Sequence, residues 1–240
     1  MAIKYSKNEI LEMIEKAKSD MKNFYKQSFV NYTGKTKDSK EYYTEIIAEW
    51  LLDHIDLFDD VKSVTRENSY KIESHDGKIK NQNSNRIEEK IAMKLFDYFQ
   101  NKGTTFNIIG KIVDYQTPLK NVQIDDSGKI DLLAYDKNTN TLRILELKKP
   151  DSKETMLKCL LEVYTYLKIV DKDKLLKDFE LPEDTIVKAS LLVFFEGVQH
   201  KEMQENRKNL KKLIERLEVE PVYLIEKNAK YEVKIQGNCI

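Results

Sequence analysis

Residues 128–149 read GKIDLLAYDKNTNTLRILELKK, and this stretch decides the fold of the chain. Two runs of alternating apolar residues, 130–135 and 142–147, flank a polar segment, 136–141, that is rich in Asn and Thr. An alternation with a period of two is typical of β-strands, and a short polar segment of this composition is typical of a turn. The stretch therefore predicts a β-hairpin.

The hairpin places two acidic residues and one lysine on the same face. If the chain turns about the bond between Asn138 and Thr139, Asp131 lies directly opposite Glu146, because both are equally far from that bond. Lys148 shares the face of Glu146, since side chains two residues apart on a strand point to the same side. Two carboxylates with an adjacent ammonium group predict a metal site on this face.

Glu146 also stands in an unusually apolar context. The segment 144–150, ILELKKP, is apolar on both sides of this residue, which indicates a strand that is buried on both faces. A buried carboxylate needs either a charged partner or a metal ion. The alternative is an ordinary pair of opposite charges on a solvent-exposed strand, where the E-x-K spacing is common.

The composition describes a helix-rich globular protein without a membrane span. The chain has 240 residues, of which 34% are charged and 40% hydrophobic, with few Gly and Pro. This length is enough for one sizeable core, or for one domain with an appended subdomain. No apolar run approaches the roughly 20 residues that cross a bilayer. The N-terminus lacks the apolar core of a secretory signal. Cys159 and Cys239 have no metal-binding spacing, so we expect reduced thiols in a cytoplasmic protein.

The charge balance neither indicates nor excludes a nucleic-acid partner. The formal net charge is zero, so the chain has no overall positive field, which disfavours indiscriminate binding to DNA or RNA. A local basic groove is still compatible with this balance. The lysine-rich segments 35–40 and 201–216 are interpreted as solvated faces with internal ion pairs.

The hydrophobic periodicity predicts an ordered series of elements. We expect N-terminal helices over 8–25 and 40–56, followed by a polar region, 61–81, that is either a hairpin or a loop. After these come a helix from Ser84 or Asn85 to Gln100 and a strand over 106–117 that is ended by Pro118. The hairpin follows, and then a helix over 153–170 that is capped by Asp151 or Ser152. The last predicted elements are a strand over 187–195, a helix over 199–217, and strands over 221–226 and 231–235.

The order of the middle elements predicts the architecture. Residues 84–195 follow the order α-β-β-β-α-β, and the last crossover returns its strand parallel to the third. The expected fold class is α/β (α+β), a mixed central sheet with helices on both sides. We expect residues 84–195 to form the core, residues 1–83 a helical extension, and residues 196–240 a C-terminal helix and strands packed on that core.

With this order in view, residues 84–195 resemble the PD-(D/E)xK nuclease superfamily, which has the restriction-endonuclease-like fold. The matching residues are Asp131 in GKID and Glu146-Leu147-Lys148 in ILELKK. The resemblance implies that Asp131 and Glu146 bind Mg²⁺, for which Mn²⁺ can substitute, and that Lys148 positions the attacking water. It implies a cytoplasmic enzyme that hydrolyses phosphodiester bonds in DNA.

The backbone of the same motif offers a further ligand. The carbonyl of Leu147, between Glu146 and Lys148, is well placed to bind the metal. Mg²⁺ prefers hard oxygen ligands and keeps several waters, so two carboxylates and one carbonyl are sufficient protein ligands.

Many members of the superfamily carry another metal-binding glutamate on the first core helix. The resemblance implies this role for Glu88, because Ile91, Ala92 and Leu95 follow it at inward-facing helical offsets, and Glu89 is the second choice. The alternative for both glutamates is a favourable interaction with the positive end of the helix dipole.

Some members also have a Gln, with a Tyr four residues later, on the helix after the ExK strand. This chain has Glu162 and Tyr166 at these positions, so the Tyr matches and the Gln does not. The departure leaves the role of Glu162 open, and Tyr166 has a core role as its alternative.

Other acidic and histidine residues are assigned no catalytic role. Asp125 and Asp126 precede Ser127-Gly128 and are interpreted as turn residues. His54, His75 and His200 are scattered and form no ligand spacing.

Two other functions stay open at this stage. One is a catalytically inactive module of the same fold that binds nucleic acid or protein, and the other is a nuclease that acts on RNA. Duplex-cutting members of the superfamily often work as dimers, so a homodimer is also an open alternative.

Overall fold

The fold is built on one mixed six-stranded sheet. The computed structural model describes residues 4–119, 128–228 and 230–235. Within these residues the strands follow one another in the sheet in the order in which they occur in the chain. They are β1 (Lys111–Pro118), β2 (Lys129–Asp136), β3 (Thr141–Lys148), β4 (Ile186–Phe194), β5 (Glu220–Lys227) and β6 (Lys230–Ile235).

The strand directions confirm the predicted hairpin and the predicted crossover. β1, β2 and β3 are successively antiparallel, β3, β4 and β5 are successively parallel, and β6 returns antiparallel to β5. Leu132 pairs with Leu145, and Asp136 pairs with Thr141. Continued by one residue, this register sets Asp131 opposite Glu146, as the sequence predicts.

Helices cover both faces of the sheet, which confirms the predicted mixed α/β architecture. Two clusters of buried apolar side chains lie on opposite faces, one including residues of α4 and of the N-terminal helices and the other including residues of α3. The helices are α1 (Lys7–Ala17), α2 (Tyr43–Asp53), α3 (Ile87–Lys102), α4 (Met156–Ile169), α5 (Lys172–Asp178), α6 (Val198–Gln204) and α7 (Lys208–Arg216).

The N-terminal helices are shorter than predicted. The helix predicted over 8–25 ends at Ala17, and a 3₁₀ helix, Met21–Lys26, follows it. The carboxylate of Asp20 accepts from the backbone N–H of Asn23, so this residue starts a new helical turn instead of continuing the first. The second helix, predicted over 40–56, is likewise shorter in the structure, where it corresponds to α2. Residues 61–81 form a loop with one isolated bridge, between Val64 and Val170.

The first predicted strand starts too early in the sequence. Residues 106–110 form a tight turn, in which the N–H groups of Phe106 and Gly110 each donate to the carbonyl of the other residue, at 2.8 and 2.7 Å. Gly110 has a φ of +80°, and a Cβ at this position would lie 2.2 Å from the carbonyl oxygen of Tyr135. The turn therefore packs directly on β2, and β1 begins only at Lys111. Pro118 is the last residue of that strand.

The helix predicted over 153–170 begins later and has a different cap. α4 starts at Met156, and the hydroxyl of Thr155 accepts from the N–H of Lys158 at 3.2 Å. The same hydroxyl donates to the carbonyl of Val30 at 2.9 Å. A contact with the N-terminal segment thus selects Thr155 over the predicted Asp151 or Ser152. The connection after α4 also contains α5, which the sequence analysis missed.

The helix predicted over 199–217 is interrupted, which makes that prediction wrong. α6 and α7 are separated at residues 205–207, where Arg207 is 7% exposed. Its guanidinium lies 3.4 Å from the centre of the Tyr42 ring and donates to the hydroxyl of Thr44 at 2.9 Å. The chain leaves the helical path where it buries Arg207 against α2. The two predicted C-terminal strands are confirmed as β5 and β6.

Among the described residues, no helix is both long enough and apolar enough to cross a membrane.

Candidate functional site

Five acidic side chains converge near the C-terminal end of β3. We call them the acid cluster: Glu88 from α3, Asp131 from β2, Glu146 from β3, Glu154 from the segment before α4, and Glu162 from α4. The parallel crossover brings α4 back over the face of β3 that carries Glu146, which explains the position of Glu162. Glu88 reaches the end of β3 from α3 by accepting from the N–H of Lys149.

Lys148 lies between three of these carboxylates. Its Nζ is 2.5 Å from Oε1 of Glu146, 2.7 Å from Oε2 of Glu154 and 3.6 Å from Oε2 of Glu162. Lys148 is 6% exposed and Glu146 is 3% exposed, so this pair is almost fully buried, while the side chains of Glu154 and Glu162 are 25% and 16% exposed. The structure therefore brings Glu146 and Lys148 together on one face, as predicted.

Asp131 is held in place by two hydrogen bonds. The backbone N–H of Leu147 donates to its Oδ2 at 3.0 Å, and Nε2 of Gln116 donates to its Oδ1 at 2.9 Å. The N–H and the carbonyl of a strand residue point toward the same neighbouring strand. The carbonyl of Leu147 therefore faces the side on which Asp131 lies, where the sequence predicts it as a metal ligand.

The two glutamates at the start of α3 have different surroundings. Oε1 of Glu88 accepts from the backbone N–H of Lys149, at 3.1 Å, just beyond the end of β3. The carboxylate of Glu89 pairs instead with Arg86 at 3.3 Å and lines a surface cleft. The structure thus joins Glu88 to the acid cluster and leaves Glu89 outside it.

Glu162 and Tyr166, both on α4, border the acid cluster. The hydroxyl of Tyr166 donates to Oε1 of Glu162 at 2.9 Å, while Oε2 of Glu162 is buried without a hydrogen bond in the described chain. A Cβ at Gly128 would lie 2.6 Å from the Tyr166 hydroxyl. The glycine at the start of the hairpin therefore makes room for this tyrosine.

Glu154 is the member of the acid cluster that the sequence analysis missed. Besides Lys148, it pairs with Lys158, four residues later. It lies in the segment that the sequence assigned to a helix, and no motif marks it. Its position depends on where α4 begins, so only the tertiary structure identifies it.

Burial raises the pKa values of two carboxyl groups of the acid cluster, Asp131 and Glu146. Burial raises the pKa of Asp131 to about 6; Lys148 opposes this effect, and Glu162 and Glu88 add to it. Burial, and then the charges of Asp131 and Glu162, raise the pKa of Glu146 well above its usual range. The acid cluster is therefore short of positive charge.

Lys148 keeps its positive charge in this setting. Burial lowers the pKa of its ammonium, but the nearby groups, above all Glu146, outweigh burial and hold the pKa above its ordinary value. The ammonium is thus a permanent cation inside the acid cluster.

The residues present fit a hard divalent cation. Five carboxylates face only two lysines, Lys148 and Lys158, and one oxygen of Glu162 has no hydrogen bond. Carboxylate oxygens are the ligands that Mg²⁺ prefers, and this ion needs few of them. In the part of the chain that is described, no group of three or more His, Cys, Asp or Glu side chains is arranged to hold a metal ion, and three of the five carboxylates contact Lys148 instead. Asp131, Glu146 and the carbonyl of Leu147 are the groups that would hold the ion, with Glu88 beside them.

A second feature beside the acid cluster was not predicted. Nδ1 of His75 lies 2.6 Å from Oδ1 of Asp114, and its ring stacks on Tyr115 with 4.1 Å between the ring centres. His75, Tyr115 and Gln116 line a cleft of about 540 Å³, which we call the β1 cleft. From the sequence, His75 is assigned no role because the three histidines form no ligand spacing, and its partner Asp114 is 39 residues away.

The remaining candidates are assigned as follows. Cys159 is a buried free thiol whose pKa is raised by burial, as expected for a residue that is not a nucleophile. The ring of His54 stacks on Trp50, and that of His200 packs against Tyr223. The predicted turn residues Asp125 and Asp126, together with Cys239, lie outside the described residues.

No protein-family model, no curated protein and no solved structure matches this chain. The function is therefore inferred from the geometry and chemistry of the acid cluster.

Proposed function

We propose that the chain is a Mg²⁺-dependent nuclease with a restriction-endonuclease-like core that hydrolyses phosphodiester bonds in DNA. The observation that carries the proposal is the convergence of Asp131, Glu146 and Lys148 at the end of one strand pair, where Glu88 also reaches the end of β3. The element order from α3 to β4 supports it as well, because α5 is the only addition to the expected series among the residues that the structure describes there.

The protein groups are suited to divide the work of hydrolysis. Asp131 and Glu146 would hold the divalent ion, and hydrogen bonds from Leu147 and Gln116 keep Asp131 oriented for this. When bound, such an ion neutralises the phosphate and lowers the pKa of a coordinated water. The Lys148 ammonium would donate to the attacking water and stabilise the negative charge that develops on the phosphate. Lys148 must then exchange its contact with Glu146 for a contact with water or phosphate.

Cleavage assays test the proposal directly. Wild-type protein should nick or degrade DNA with Mg²⁺ or Mn²⁺ and should be inactive in EDTA. Asp131→Asn, Glu146→Gln and Lys148→Met should each lower the rate by about 10²-fold or more, as expected for groups that stabilise charge in the transition state. Glu12→Gln is the control, because this exposed glutamate on α1 lies outside both the acid cluster and the surface cleft lined by Glu89. Equal rates in wild type and in all three site variants would contradict the assignment.

The substrate class is tested in the same assay. Labelled single-stranded DNA, duplex DNA and RNA are digested side by side. Preferential cleavage of RNA would replace DNA in the proposal and keep the catalytic residues.

One observation favours a second candidate function, a non-catalytic binding module. Three carboxylates already hold the Lys148 ammonium, and such a buried ion-pair network also occurs as a purely structural feature. Binding to a nucleic acid or a protein that does not depend on metal, with no cleavage of any of the three substrates, would favour this function.

A further inference from the structure

We propose that His75 contacts the substrate: held by Asp114, its imidazole binds a backbone phosphate of a nucleic-acid strand that lies in the β1 cleft. This inference rests on the proposed function, because it specifies where the substrate of the acid cluster lies.

An irregularity in β1 accompanies the buried side chain of Asp114, which contacts His75. The register between β1 and β2 shifts between Ile112 and Asp114, and the Asp114 side chain is 3% exposed. Its carboxylate accepts from the Thr117 hydroxyl at 3.0 Å, from the N–H of Tyr115 at 2.9 Å, and from the His75 ring. A buried carboxylate with these partners fixes the orientation of the imidazole.

His75 lines the β1 cleft with a ring whose orientation is fixed. The stacking on Tyr115 and the bond from Nδ1 to Asp114 fix two directions of the ring, and the side chain is 18% exposed. Within the described residues, Nε2 has no protein hydrogen-bond partner. An imidazole that donates from Nδ1 to Asp114 gains a second donor at Nε2 only in its protonated form, and it is in this form that Nε2–H would donate to a phosphate oxygen.

The β1 cleft carries several separated positive charges. Four basic residues line it and two acidic ones, Asp76 and Glu89, oppose them, which leaves a surplus of two positive charges with His75 counted as neutral. Cations spread along a groove fit a polyanionic strand better than a single small anion. The basic residues are Lys80, Arg86, Lys90 and Lys129.

Gln116 connects the β1 cleft to the acid cluster. It lines the cleft and donates to Asp131 at 2.9 Å, and the register sets it directly opposite that residue. Its backbone has a φ of +49°, a left-handed conformation that costs energy for a residue other than glycine. A nucleic-acid strand bound in the β1 cleft would therefore pass directly beside Asp131.

Two substitutions of His75 separate a phosphate contact from a structural role. His75→Asn keeps an amide N–H where Nδ1 faces Asp114 and loses the nitrogen that faces the cleft. His75→Gln places an amide N–H near the position of Nε2. We expect the first variant to bind an end-labelled DNA oligonucleotide in EDTA about tenfold more weakly, the effect of one lost hydrogen bond to a charged group, and the second to retain most of the affinity. If the Asn variant binds as tightly as wild type, the proposal is overturned.

A second test compares two lysines on β-strands, and its result does not depend on whether a His75 variant folds normally around Asp114. Lys129 is exposed and lines the β1 cleft. Lys188 is exposed on β4, where it pairs with Arg143 of β3, three residues before Glu146. Lys129→Ala should weaken binding and lower the slope of log affinity against log salt by about 0.7–0.9, the change expected for one lost phosphate contact. Lys188→Ala should leave both quantities unchanged. Equal effects of the two substitutions would overturn the proposed location of the strand.

Steady-state cleavage distinguishes this inference from the proposed function. In the His75→Asn and Lys129→Ala variants we expect KM to rise several-fold with DNA. An unchanged KM in both variants would overturn the role of the β1 cleft while leaving the nuclease intact. Oligonucleotide binding that depends on His75 and Lys129, but without cleavage under any metal condition, would overturn the nuclease and support the cleft.

Discussion

At the scale of single residues, Lys148 is the cation on which the buried acid cluster depends. Its ammonium contacts three carboxylates and is almost inaccessible to solvent. Removing one partner from a buried ionic network leaves the others uncompensated, which costs more than the network itself contributes.

The first prediction concerns the stability of the Lys148→Met variant. Without added metal at pH 8, we expect its free energy of unfolding to be lower than that of wild type by about 3–5 kcal/mol, the usual cost of breaking a buried ion pair. Urea unfolding monitored by circular dichroism measures this difference. Lys153→Met, at an exposed position, is the control and should change it little. An equal loss in both variants would contradict the central role of Lys148.

The second prediction concerns the pH dependence that arises from Asp131. Burial raises its pKa from 3.8 to about 6 in the folded protein, so between these values the folded state binds more protons than the unfolded state. The contribution of Asp131 to stability therefore falls as pH rises from about 4 to 6 and stays low above that range. The pKa of Glu146 is raised as well and acts in the same direction.

The Asp131→Asn variant isolates this contribution. Relative to wild type without metal, the variant should gain stability on the order of 2 kcal/mol between pH 4 and pH 7. Urea unfolding at a series of pH values measures the difference. Acidic residues outside the acid cluster cancel in the comparison, whereas loss of the Asp131 charge also lowers the pKa of Glu146, which acts in the same direction. A difference that does not vary with pH would contradict the raised pKa.

The residues of the acid cluster differ in how far the sequence reveals them. Asp131, Glu146 and Lys148 belong to one hairpin, so counting from the turn is enough to place them together. The partner of His75 is 39 residues away in the chain. Glu154 has partners nearby, Lys148 and Lys158, but its position depends on where α4 begins, and neither residue belongs to a pattern with a fixed spacing. The sequence analysis missed both for this reason.

At the scale of elements, the start of the hairpin and α4 approach each other closely. Gly128 has a φ of +82°, and a Cβ there would overlap the Tyr166 hydroxyl. This contact explains a glycine at the first position of the predicted hairpin, which the turn chemistry alone does not require.

The third prediction tests this approach. Gly128→Ala should destabilise the protein by about 1–3 kcal/mol, because it adds both a steric overlap and an unfavourable φ. Tyr166→Phe removes the atom with the shortest contact, so the double variant should lose less than the sum of the two single losses. A double-mutant cycle from thermal or urea unfolding measures the coupling. Strict additivity would mean that the two residues do not meet.

The fourth prediction concerns the start of α4. Thr155 caps this helix and also binds the N-terminal segment. Thr155→Ala should therefore lower the free energy of unfolding by about 1–2 kcal/mol, the usual cost of a lost cap. Asp151→Ala is the control, since this residue is exposed and caps no helix in the structure. If Asp151→Ala were the more destabilising change, the helix would begin where the sequence alone predicts it.

At the scale of the whole molecule, the acid cluster exists only when distant segments are assembled. Its members come from α3, β2, β3, the segment before α4, and α4 itself. The unfolded chain cannot hold these carboxylates together, so a cation that binds them stabilises the folded state by mass action.

The fifth prediction follows from this linkage. Mg²⁺ or Mn²⁺ should raise the unfolding temperature of the wild-type protein at pH 7.5, and EDTA should reverse the shift. The increase should be smaller at pH 5, where the raised pKa values leave Asp131 and Glu146 more protonated. Differential scanning calorimetry measures the shift, and Glu89→Gln should behave like wild type. Persistence of the full shift in the Asp131→Asn, Glu146→Gln double variant would place metal binding elsewhere.

The sequence by itself determined the hairpin, its register, the parallel return of β4 and the helices on both faces, since these follow from hydrophobic periodicity and turn chemistry over short distances. Only the tertiary structure decided the boundaries that depend on distant contacts: the cap of α4 and the break at Arg207. It alone also placed Glu154 in the acid cluster and His75 on Asp114. The physical reason is that a cap, a buried ion pair or a glycine contact is stabilised by partners that the chain supplies from far away, and no local pattern records them.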